Sequence, residues 1–111
     1  MDADARSTVW QSFERIFRDN HVPLGGLVPL IMMIEVRAED VVPQVRTDLG
    51  RAGVDVHNIE RSWWPFGRRW KVTAKSRPVP MTRAAVDERL DTLDAILAKH
   101  DATVVSWIPQ V

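Results

Sequence analysis

The side chains best suited to proton transfer or metal binding are His21, His57 and His100, and their spacing supports neither role. No two of them stand three or four residues apart, so no helical metal site is suggested. Ser7, Ser12, Ser62, Ser76 and Ser106 lack the flanking glycines of a nucleophile elbow. Gly25-Gly26 is too short to cradle a phosphate, and no Lys-Ser/Thr pair follows it. His100-Asp101 reads as the end of a helix, where a partly charged imidazole complements the helix dipole. These residues predict no catalytic group, no metal site and no cofactor.

A different chemistry is concentrated in residues 61–83. Arg61, Arg68, Arg69, Lys71, Lys75, Arg77 and Arg83 lie there with no acidic residue between them. Trp63, Trp64 and Trp70 are interleaved with them. Residues 84–101 reverse the sign, with Asp87, Glu88, Asp91, Asp94 and Asp101 against Arg89 and Lys99. The whole chain balances at 15 basic and 15 acidic residues, so its charge is sorted along the sequence rather than absent. A basic, tryptophan-bearing segment of this kind suits docking, onto either a protein or a nucleic acid.

The elements that must position this segment follow from periodicity. Val9, Trp10, Phe13, Ile16 and Phe17 share one face of a helix over 4–19, which Asn20, His21 and Pro23 end. Residues 28–37 predict a strand that is apolar on both faces, hence central, with Pro29 at its start. Asp40 is placed to cap a helix over 40–52 whose buried stripe is Val41, Val45, Leu49 and Ala52. Pro43 falls in the first turn of that helix, and Gly53 can take a left-handed conformation after it.

Residues 54–62 and 69–76 predict two strands joined by a turn at Pro65-Phe66-Gly67. In the second, Trp70, Val72 and Ala74 share the packed face, and Arg69, Lys71, Thr73 and Lys75 the wet one. In the first, Ile59 has the opposite parity to Val54 and Val56, which predicts a bulge near Asn58. After Pro78 and Pro80, Thr82 can cap a helix over 83–100 with Val86, Leu90, Leu93 and Leu97 as its stripe. A last strand over 102–108 is closed by Pro109.

The order is an extra helix followed by β-α-β-β-α-β. Right-handed crossovers would put both inner helices on one sheet face. The expected fold is α+β, a ferredoxin-like βαββαβ arrangement with a four-stranded antiparallel sheet. Residues 22–111 would form that domain, and residues 1–21 an amphipathic helix packing on it. The other sheet face would be open or covered by the N-terminal helix.

Length and composition set outer bounds. A chain of 111 residues is one domain at most. It has no cysteine, which excludes disulfides and thiolate metal sites. The acidic N-terminus is wrong for a secretory signal. The apolar run over 22–34 is interrupted by Pro23, Gly25, Gly26 and Pro29 and falls short of the ~20 residues a membrane span needs. No membrane association is expected. The N-terminal helix mixes Glu14 and Asp19 with its arginines, unlike a membrane-surface helix.

The second half carries a resemblance. Trp70-Lys71-Val72-Thr73-Ala74-Lys75 leads to Pro80-Met81-Thr82 and then Ala85-Val86-Asp87. The Leu90/Leu93/Leu97 helix follows, with Ala98-Lys99-His100-Asp101 after it. This succession, with Trp107 in the closing strand, resembles the ribonuclease E inhibitor family RraB. Val104-Val105-Ser106, just before that tryptophan, depart from the family's pattern. The resemblance implies a cytoplasmic, non-enzymatic regulator that binds ribonuclease E, and a ferredoxin-like fold.

Three functions are compatible with these readings. The first is a non-catalytic regulatory protein that binds a protein partner, such as ribonuclease E or another nucleic-acid enzyme. Its contact residues would be Arg61, Trp63, Trp64, Arg68, Arg69, Lys71 and Lys75, and it would be a monomer or a homodimer. The second is direct binding of single-stranded RNA through the same residues, although the Arg/Lys-Gly-aromatic signature of the RNA recognition module is absent. The third is a small-ligand or enzymatic ferredoxin-like dimer with a pocket between sheet and N-terminal helix.

Overall fold

The computed structural model describes residues 3–64 and 67–111, and of residues 62–64, 67 and 68 the backbone alone. Helix α1 (Ala3–Asp19) buries Phe13 and Phe17, with Val9 and Trp10 packed beside them. Its last turn is closed by the Asn20 side-chain amide, which donates to the Ile16 carbonyl at 2.7 Å. His21 then takes a left-handed φ of 56°.

A short strand β1 (Leu27–Val28) precedes Pro29, and the long strand β2 (Leu30–Val36) begins directly after it. Pro29 thus marks the start of the main strand, as its missing N–H requires. Leu30, Met32, Ile34 and Val36 are buried, while Ile31, Met33 and Glu35 on the other face are half-buried.

Asp40 does not cap the next helix. It lies inside a 3-10 turn (Glu39–Val41), and α2 (Val42–Arg51) starts from Val41 with no side-chain cap. The buried stripe is therefore Val42, Val45 and Leu49, with Val41 only half-buried. Pro43 sits in the first turn, where its missing N–H costs nothing. Gly53 takes a φ of 79°, and the Arg89 guanidinium donates to the Ala52 carbonyl at 2.7 Å, closing the end of α2.

Strands β3 (Val54–Trp64) and β4 (Gly67–Ser76) are each longer than periodicity suggests, pairing out to Trp64 opposite Gly67. The expected turn residues Pro65 and Phe66 lie outside the described residues, and Gly67 opens β4. The register shifts between Val56 and Asn58, so the anticipated bulge falls at His57 and returns Ile59 to the packed face. Strand β5 (Val79–Pro80) pairs only with β1. The Thr82 hydroxyl accepts from the Ala85 amide at 3.3 Å and caps α3 (Arg83–Ala98). Strand β6 (Ala102–Pro109) completes the sheet.

The main sheet is antiparallel in the order β3-β4-β2-β6. α2 packs against β3, α3 against β6 and α2, and α1 against β6 and α3. Phe13 and Phe17, Val45 and Leu49, and Val86, Leu90, Leu93 and Leu97 join Met32, Ile34, Val72, Ala74 and Trp107 in one apolar core. All three helices therefore cover the same face. α1 lies beside α3, not across the sheet, and the opposite face is left uncovered.

Candidate partner-binding surface

The β3–β4 hairpin and its neighbour β2 place the basic residues singled out by sequence. Residues directly opposite each other in a ladder share a sheet face. On the uncovered face Asp55 stands opposite Lys75 and Glu60 opposite Lys71, from β3 to β4. Across the other ladder Lys75 meets Ile31, Thr73 meets Met33, and Lys71 meets Glu35. Arg69 makes an ion pair with Glu35.

Two corrections follow. The basic segment has no acid nearby in sequence, but in space carboxylates from β2 and β3 flank Arg69, Lys71 and Lys75. The expected contact set is also divided between faces. Arg61 lies opposite Trp70, on the side of Val36 and Val72, with its guanidinium 5.8 Å from the centre of the indole. That is a cation–π geometry. Lys71, Lys75 and Arg69 occupy the uncovered face. Trp63 pairs with Arg68 in the backbone register, and their side chains, with that of Trp64, lie outside the described residues.

The uncovered face has an apolar half that sequence reasoning missed. Ile31 stands opposite Ile108, and Met33 opposite Ser106. Ile108 is 50% exposed and Val105 54%. The register of β6 shifts at Val105, so Val104 and Trp107 both face the core while Ser106 and Ile108 face outward. Plain alternation would have put Val104, Ser106 and Ile108 together. The one available signal was Ile31 and Met33, which made β2 apolar on both faces.

The histidines remain apart, but one has a partner that its position at a helix end does not reveal. His100 Nε2 lies 2.7 Å from Asp48 Oδ2, tying the end of α3 to α2. This hydrogen bond, with the charges of His100, Arg51 and Lys99, holds the Asp48 carboxyl below its usual range against some opposing desolvation. The pair lines a shallow groove with Pro43, Gln44, Thr47 and Arg51. Thr47 donates its hydroxyl to the Pro43 carbonyl. Among the described residues no group of three or more His, Cys, Asp or Glu is placed to hold a metal ion. No helix among them is long and apolar enough to cross a membrane. No protein-family model and no curated protein matches the chain.

Proposed function

We propose that this chain is a non-catalytic regulatory protein of ferredoxin-like βαββαβ fold, with an added N-terminal helix, that acts by binding a protein partner. The sheet order β3-β4-β2-β6, with helices on one side only, supports the fold reading. A ribonuclease is the partner class that the resemblance to the RraB family implies.

The observation that carries the protein-binding reading is the pairing of charge on the uncovered face. RNA affinity comes from cations free to replace the counterions of phosphates. Here Lys71 stands between Glu60 and Glu35, Lys75 beside Asp55, and Arg69 on Glu35. Such a surface gives little net attraction for a polyanion. Its apolar half, Ile31, Met33 and Ile108, rimmed by paired charges, has the composition of a protein interface.

The test uses purified chain, purified ribonuclease E and a fluorescent oligoribonucleotide. Added chain slows cleavage in a saturable way, and Ile108→Lys abolishes the effect. The oligoribonucleotide alone binds the chain more weakly than ~100 μM at physiological salt. Tight, steeply salt-dependent RNA binding would transfer the function to RNA. Neither slowing nor complex formation would remove the ribonuclease.

A further inference from the structure

A cleft of about 340 Å³ lies where α1 meets the β6 edge. Thr8, Ser12 and Phe13 form its helix wall, and Val105, Ser106 and Trp107 belong to its strand wall. None of its lining residues is charged. Two independent features mark it. The bulge of β6 falls at Val105, so the strand departs from regular pairing along the cleft wall. Trp107 is only 9% exposed, yet its indole Nε1 is buried with no acceptor among the described residues. Buried donors are almost always paired, because an unpaired one keeps its full desolvation cost. Ser76 follows that rule, both accepting and donating.

We propose that this cleft binds a small uncharged carbonyl compound whose oxygen accepts a hydrogen bond from the Trp107 indole N–H. Size and lining define the class. Ligand cavities run from ~300 to ~1,000 Å³, so this one takes a single ring or a short branched chain. Phe13 and Val105 supply apolar contact for that body. With no charged residue in the wall, an ionic ligand would lose its hydration without gaining a partner. The site lies on the helix-covered side of β6 and does not depend on the partner proposed for the open face.

The experiment is a titration of isotope-labelled full-length protein, followed through its tryptophan indole N–H signals by two-dimensional NMR. The probes are acetophenone, benzoate as a charged analogue of similar size, and ethylbenzene as an analogue without the oxygen. Trp107→Phe assigns the signal. Acetophenone is expected to shift the Trp107 indole signal downfield and saturably, with a Kd under ~1 mM. Benzoate binds at least ~10-fold more weakly, and ethylbenzene gives no downfield shift. Ser12→Leu starts from an exposed helix position, so the fold is kept while the cleft is filled. It weakens acetophenone at least ~10-fold. An unsaturable response, equal binding of benzoate, or full binding by Ser12→Leu would each overturn the proposal.

Discussion

At the scale of single residues, the informative side chains join parts of the chain far apart in sequence. Ser76, only 4% exposed, accepts from the Leu30 amide at 3.0 Å and donates to the Arg77 carbonyl at 2.9 Å. It satisfies the first amide of β2, just past Pro29. Ser76→Ala leaves that buried N–H unpaired and is expected to cost ~1–3 kcal/mol in urea unfolding. Thr82→Ala removes an exposed cap and costs ~0.5–2 kcal/mol. Thr82 was legible because a cap precedes its own helix. The partners of Ser76 and His100 were not, because they lie 46 and 52 residues away.

The Asp48–His100 pair gives a pH prediction. The folded carboxyl titrates below its ordinary value of 3.8, so the folded state holds this proton less tightly than the unfolded state. The stabilisation is therefore present above that value and is lost as pH falls through the lowered one. Urea midpoints of the wild type and Asp48→Asn, measured from neutral pH downward, should converge below the ordinary value. A gap that stays constant into strong acid would show that the Asp48 charge contributes nothing.

At the scale of elements, legibility depended on whether a pattern left a visible mismatch. Val86, Leu90, Leu93 and Leu97 repeat at helical spacing, and all four are buried in α3. Leu93→Ala should cost ~2–5 kcal/mol, read from the urea midpoint. A change below ~0.5 kcal/mol would contradict that burial. The bulge at His57 was readable because Ile59 broke the parity of Val54 and Val56. The bulge at Val105 was not, because Val104, Val105, Trp107 and Ile108 are apolar at both parities. Removing Val105 would restore simple alternation and turn Trp107 outward. That deletion is expected to lower stability by more than ~3 kcal/mol, as loss of a buried aromatic does. The start of α2 was misplaced by a turn's start because Asp40-Val41-Val42-Pro43 fits either register. The β1–β5 ladder is too short to show any period.

At the scale of the whole molecule, a charge run in one dimension does not become a field in three. The cations of residues 61–83 are contiguous in sequence, but β2 and β3 bring Glu35, Asp55 and Glu60 against them. The fold thus hides a basic surface that two substitutions should uncover. Glu35→Gln with Glu60→Gln frees Lys71 and Arg69 from their carboxylates while keeping side-chain size. The double variant is expected to gain weak affinity for an oligoribonucleotide. Its dependence of log K on log salt should have a slope of roughly −1 to −2, as two available cations give. Protein-partner binding should behave in the opposite way. Arg68→Glu with Arg69→Glu sets a carboxylate against Glu35 and costs no more than ~1 kcal/mol of stability, because the pair is partly exposed. The same change weakens a partner steered by the hairpin by at least ~2 kcal/mol. A complex seated on Ile31, Met33 and Ile108 keeps most of its affinity at high salt, since apolar burial is not screened. Calorimetry against ribonuclease E at two salt concentrations reads both effects. A complex that dissolves in high salt while the glutamine variant gains no RNA affinity would exclude the apolar half of the sheet as the anchor.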